Sequence, residues 1–194
     1  MTDYSTLVNL LAERSAKLGE FTLASGKKSN FYIDARLTTM SPEGLSIIGT
    51  LGLSAIADSH WEVDAVGGLT LGADPVSYAI SYASAFTMRP LRAFTVRKEA
   101  KTHGTGKLIE GPVYEGDHVV VVEDVITTGG SALRAIAAVR NAHMHVVGVL
   151  GLIDREEGGR VEIEKIGVPV VGLVTAGEIL ALLKNQESSL RADL

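Results

Sequence analysis

Two adjacent acids, Glu123 and Asp124, follow the apolar run Val119–Val122 and lead through Val125 and Ile126 into Thr127-Thr128-Gly129-Gly130-Ser131. Hydroxyls and glycines at the start of a helix offer free backbone N–H groups and the positive end of the helix dipole, the usual means of holding a phosphate. Carboxylates this close to a phosphate would repel it unless they had partners of their own. Sugar hydroxyls and a bound magnesium complex are such partners. The run therefore suits a ligand with one phosphate, hydroxyls beside it and a metal-bound diphosphate beyond. It carries neither the lysine of G-x-x-x-x-G-K-[ST] nor the G-x-G-x-x-G spacing, so a nucleoside-triphosphatase loop and a dinucleotide fold are not expected. Taken alone, the same residues also suit a surface strand end with a glycine turn.

A second concentration of chemistry lies at Arg97-Lys98-Glu99-Ala100-Lys101-Thr102-His103-Gly104-Thr105-Gly106-Lys107, with four fixed cations, one histidine and two glycines. Its charge suits a polyanion and its glycines suit a lid, although a solvated charged loop has the same composition. Arg155, at the end of an apolar run, has the planar fork that pairs with a carboxylate through two hydrogen bonds. A salt bridge to Glu156 or Glu157 is its plain alternative. His143 and His145 lack a cysteine or a third ligand nearby, so no resident metal site is expected. His60 and His118 stand at loop and strand starts, and Trp61, Ile179, Leu180, Leu182 and Leu183 read as packing residues.

These groups need a scaffold, and the pattern supplies alternating elements. Leu7, Leu10, Leu11 and Leu18 predict a helix over 4–18 stopped by Gly19, and 20–36 reads as two short strands joined by Ser25-Gly26-Lys27-Lys28. Ser41-Pro42-Glu43 is a helix start, predicting a helix from Pro42 to about Asp58. Strands are expected at 63–69, 91–96, 119–122, 146–153 and 168–173, with helices opening at Gly72–Pro75 and running over 131–141. Four consecutive valines without polar alternation predict a strand covered on both faces, as in a parallel sheet with crossover helices, where ligands gather at the carboxyl ends of strands. The expected class is α/β, a mostly parallel central sheet flanked by helices. One domain is expected over 1–194, with a helix and hairpin in 1–40, an α/β core in 41–175, and a C-terminal helix in 176–194 ending in a polar tail from Glu187.

At 194 residues such a domain can bury a core without disulfides, and there are no cysteines to form them. A net charge of −5 argues against general nucleic-acid binding, so any phosphate site must be local. The N-terminus lacks a basic lead into an apolar stretch, and no run approaches the roughly 18 apolar residues of a membrane span. A cytoplasmic protein is expected.

Val119–Ser131 resembles the phosphoribosyl pyrophosphate signature of type I phosphoribosyltransferases, and Arg97–Gly104 resembles the R-K-x-x-K-x-H-G loop of the orotate phosphoribosyltransferases. Gly19–Leu23 with Ser25-Gly26 is similar to that family's N-terminal hood, and Leu152–Arg155 to its strand end. The resemblance implies the type I fold and transfer of ribose-phosphate to orotate, giving orotidine monophosphate and pyrophosphate. It implies that Glu123 and Asp124 meet the ribose hydroxyls while Val125, Ile126, Thr127, Thr128, Gly129, Gly130 and Ser131 enclose the ribose phosphate. Arg97, Lys98, Lys101 and His103 face the pyrophosphate, and Lys101, His103 and Asp124 are the expected catalytic residues. Thr127 and Arg155 meet orotate. Mg2+ is expected on the diphosphate, and the partner is a second copy that shares the lid. Two positions depart from the family: Ala24 and Leu71 stand where many members have lysine, with Lys27 and Lys28 as possible stand-ins. A purine-base phosphoribosyltransferase is the nearest alternative. A non-catalytic regulator that senses the sugar phosphate is another, but it would need a basic DNA-binding segment, and the N-terminus has none.

Overall fold

The computed structural model describes residues 3–22, 28–99 and 107–192. Its centre is a six-stranded sheet built from β3 (Ala65–Leu69), β4 (Arg92–Val96), β5 (Ile109–Glu110), β6 (His118–Ile126), β7 (His145–Asp154) and β8 (Val170–Thr175). The strands lie in the order β5-β4-β3-β6-β7-β8. All neighbours are parallel except the two-residue edge strand β5, which runs antiparallel to β4.

The valine run explains why the sheet has two dry faces. Val120 and Val122 pack with Ile48, Val76, Leu150 and Ile179 in one core. Val119 and Val121 point the other way, into a core with Ile136, Val139, Val149 and Ile163. Successive side chains of a strand alternate between faces, so an unbroken apolar run is what burial on both sides requires. On the first face lie α1 (Asp3–Leu10), α3 (Pro42–Asp58), α4 (Ala73–Ser84) and α7 (Ala176–Ala192), while α5 (Gly130–Asn141) and α6 (Gly159–Glu164) cover the second. A short helix, α2 (Arg36–Thr39), links the hairpin to α3.

Helix α3 spans the predicted residues. Ser41 caps it, its hydroxyl accepting from the Gly44 N–H at 3.1 Å, with Pro42 in the first turn. Such a cap contributes about 1 kcal/mol.

Beyond shifts of one or two residues at strand ends, three boundaries differ from the sequence-based expectation. The N-terminal helix ends at Leu10 and passes through a wide turn at Leu11–Ser15, and Ala16–Thr22 becomes β1, paired antiparallel with β2 (Lys28–Ile33). Pairing of Ala16 with Ile33 and of Leu18 with Phe31 overrides the helical spacing of Leu18, and Gly19 lies within the strand instead of stopping a helix. Strand β6 runs on past Val122 to Ile126, because Val125 and Ile126 pair with Ile153 and Asp154 of β7. Helix α7 continues to Ala192, so most of the expected polar tail is helical. Residues 23–27, with Ala24 and Lys27, lie outside the described residues.

Candidate active site

The carboxyl ends of β3, β6 and β7 converge on one cleft of about 410 Å³. Glu123, Asp124, Thr127, Ser131, Arg155 and Lys98 line it, together with Tyr32, Asp34 and Arg36 from the hairpin side and Leu69–Gly72 from the loop after β3. Beside it, Thr127–Ser131 form the wall of a second hollow that also reaches Glu123 and Arg134.

The cradle is shaped by Gly129, whose φ of 81° is left-handed and favours glycine. A β-carbon there would also stand 2.8 Å from the carbonyl oxygen of Gly159. The first α5 residues line the hollow with N–H groups that have no intrahelical partner, and the intrahelical bond from Leu133 N–H to Gly129 O is 2.9 Å. The loop is tied to its neighbours by Gly159 N–H donating to Thr127 O at 2.9 Å and Arg155 N–H donating to Ile126 O at 2.9 Å.

Glu123 is only 8% exposed, and its Oε2 has no hydrogen-bond partner among the described residues. Burial, and then the charge of Asp124, push its carboxyl up to about 8, an effect that Arg134 partly offsets. Burial also raises Asp124, against the pull of its hydrogen bond from the Val125 N–H at 3.0 Å. A buried carboxylate oxygen without a partner is costly unless a ligand supplies one. The two acids lie within β6, not in a loop after it, and this rigid backbone fixes their spacing.

Across the cleft, the loop after β3 is held by a buried carboxylate. Asp74 accepts from Thr70 Oγ1 at 2.6 Å and from Thr95 Oγ1 at 2.8 Å, and Thr95 in turn meets Tyr78 at 2.8 Å. Leu71, where many family members have lysine, is 54% exposed at the cleft. Arg36 forms a two-pronged bridge to Asp34, with both N···O distances 2.8 Å. Arg155 pairs with Glu157 at 2.9 Å and stands 5.8 Å from the Phe31 ring centre. Its Nε is buried without a hydrogen-bond partner among the described residues.

The structure thus brings Glu123, Asp124, Thr127, Ser131, Arg155 and Lys98 together. Thr128, Gly129 and Gly130 shape the adjoining hollow, where Val125 and Ile126 join the wall. Arg97 is turned toward β5, 3.7 Å from Glu110, and does not line the cleft. Lys101 and His103 lie outside the described residues, and Lys28 begins β2. Sequence reasoning missed Asp34, Arg36, Asp74 and Arg134. Of these Arg134 alone had a signal, its helical spacing from Ser131. Among the described residues no group of three or more His, Cys, Asp or Glu side chains is placed to hold a metal ion.

Residues 52–173 match the family described as the phosphoribosyl transferase domain. Orotate phosphoribosyltransferase of Aquifex aeolicus is 44% identical over 183 residues, covering 93% of this chain and 99% of that protein. The crystal structure of Mycobacterium tuberculosis H37Rv orotate phosphoribosyltransferase with Fe(III) dicitrate superposes with a TM-score of 0.81 at 41% identity, covering 91% of this chain and 98% of that one. The same enzyme in complex with 5-phospho-alpha-D-ribosyl 1-diphosphate gives a TM-score of 0.76 at 36% identity, covering 92% of each chain. Within the phosphoribosyl transferase class, the chain belongs to the orotate phosphoribosyltransferase family.

Proposed function

We propose that the chain transfers the ribose-phosphate of phosphoribosyl pyrophosphate to a ring nitrogen of orotate, releasing pyrophosphate and giving orotidine monophosphate. The observation that carries this reading is the Glu123–Asp124 pair, Glu123 buried with one carboxylate oxygen lacking a partner among the described residues and Asp124 half-buried, beside a phosphate cradle that has no charge of its own. Ribose hydroxyls would donate to Glu123 and Asp124, and the phosphate would take the free N–H groups of Thr128–Ser131. Arg155, with its unpartnered Nε, and Thr127 would hold orotate by its carboxylate and ring edge.

Bond breaking at the sugar carbon leaves positive charge on the ribose and negative charge on the pyrophosphate. Glu123 and Asp124 face the first. Lys98, which lines the cleft, faces the second; the resemblance gives the same task to Arg97, which is turned toward β5, and to Lys101 and His103, which lie outside the described residues. Each well-placed donor is worth about 3 kcal/mol. No protein nucleophile is required. Magnesium on the diphosphate would neutralise part of the leaving-group charge.

The working form is a homodimer. Its support is the apolar face of α3 and α4, where Tyr78, Tyr82 and Phe86 are 51%, 70% and 78% exposed around a hollow of about 550 Å³. A cytoplasmic location belongs to the same reading, because both substrates are small charged molecules that do not cross a bilayer unaided. No helix of the described residues is long and apolar enough to cross a membrane.

The test is loss of orotate's ultraviolet absorbance on adding phosphoribosyl pyrophosphate and magnesium, run in parallel with adenine, guanine and hypoxanthine. Turnover of orotate alone is expected. Turnover of a purine in its place would move the protein to the purine-base enzymes, and turnover of none would favour a regulator.

A further inference from the structure

The cradle Thr127–Ser131 contains hydroxyls, glycines and backbone amides but no cation. A phosphate monoester carries about −1.5 to −2 charges near neutral pH. A helix N-terminus supplies the equivalent of only about half a positive charge. Backbone alone therefore leaves much of the ligand's charge unbalanced.

Arg134 stands three residues after Ser131 and four after Gly130 on α5. Residues at those separations are neighbours on one helix face. Helical side chains also lean toward the N-terminus, so a long side chain at 134 falls back over the cradle. The structure agrees: Arg134 lines the hollow walled by Thr127–Ser131 and also the adjoining cleft. It is the only cation lining that hollow among the described residues. No hydrogen bond or ion pair with those residues engages its exposed guanidinium. Glu123, nine-tenths buried with an unpartnered Oε2, lines both spaces as well and senses the arginine's charge.

We propose that Arg134 is a phosphate-binding residue, its guanidinium reaching over the rim of the Thr127–Ser131 cradle to contact the phosphate on the ribose. The inference rests on the reading that this cradle holds the ribose phosphate. It assigns to a side chain the charge that the loop lacks, and it places that charge at the end of the substrate away from the pyrophosphate.

The experiment compares the full chain with Arg134→Ala and Arg134→Lys, using ribose 5-phosphate and pyrophosphate as separate inhibitors competing with phosphoribosyl pyrophosphate. Arg134→Ala should raise KM for phosphoribosyl pyrophosphate roughly tenfold, more than it alters turnover, since charge-assisted hydrogen bonds are of that strength. Inhibition by ribose 5-phosphate should weaken by the same factor while inhibition by pyrophosphate stays as it was. Arg134→Lys should recover part of the loss. Undiminished ribose 5-phosphate inhibition in Arg134→Ala would overturn the inference, as would equal weakening of both inhibitors. If ribose 5-phosphate does not inhibit even the unaltered protein, the cradle reading itself fails.

Discussion

Gly72 and Asp124 are in such close register that a β-carbon at 72 would stand 2.4 Å from both carboxylate oxygens of Asp124. The loop after β3 and the acid pair of β6 thus meet with no room for a methyl group. Gly72→Ala should push Asp124 from its place or move the loop, and displacements of this size near reacting groups can cost about 100-fold. We expect kcat/KM for phosphoribosyl pyrophosphate to fall at least about tenfold by steady-state kinetics. Unchanged kinetics would mean that the carboxylate has slack.

Asp124→Asn keeps the shape and removes the charge. It should weaken binding of phosphoribosyl pyrophosphate in calorimetric titration and leave orotate binding detectable. A wild-type affinity for the sugar phosphate would contradict the role assigned to this acid.

Glu123 makes stability depend on pH in an unusual direction. Its carboxyl is pushed up to about 8 in the folded protein from an ordinary value of 4.5. Between those two values the folded state holds a proton that the unfolded state has released, so stability falls as pH rises through the window. The contribution is complete below the lower value and gone above the upper one. Glu123→Gln should melt increasingly above the unaltered protein as pH goes from about 5 to about 8 in thermal unfolding. A melting difference that stays flat with pH would show that Glu123 is already ionised in the fold.

Arg155→Lys retains charge but loses the fork and the contact over Phe31. KM for orotate should rise by about tenfold or more, with a smaller change for phosphoribosyl pyrophosphate. If both substrates are affected equally, Arg155 acts through the cleft's shape instead of through a carboxylate.

Tyr82→Asp combined with Phe86→Ser should halve the mass seen by light scattering if α4 faces a second copy. A mass that does not change would place the dimer contact elsewhere.

The parts of this fold legible in the sequence are those governed by local chemistry. Ser41 and Pro42 mark the start of α3 because capping depends on a few adjacent residues, and the valine run announces a doubly buried strand because its lack of alternation has one ready meaning. The first strand was hidden, since only its partner across the hairpin makes Ala16–Thr22 extended. The reach of β6 through the two acids was hidden for the same reason, set by pairing with β7. At the site, the acids and the cradle were legible as a motif, whereas Asp74 and Arg36 acquire meaning only from the threonines and the aspartate that the fold brings to them.

The four valines of β6 also leave a question of alignment that they cannot answer. Shifting the strand by one residue would replace valine with valine on both faces over most of its buried length, so packing alone barely distinguishes one alignment from the next. The unlike residues at its two ends must do so. Before the strand, Asp117 is pinned by Arg92 at 2.8 Å and by the Tyr114 N–H at 2.7 Å. Beyond the valines stand Glu123 and Asp124. The centre of the protein is thus a ruler with no markings of its own, indexed at one end by a salt bridge and at the other by the adjacent carboxylates of Glu123 and Asp124.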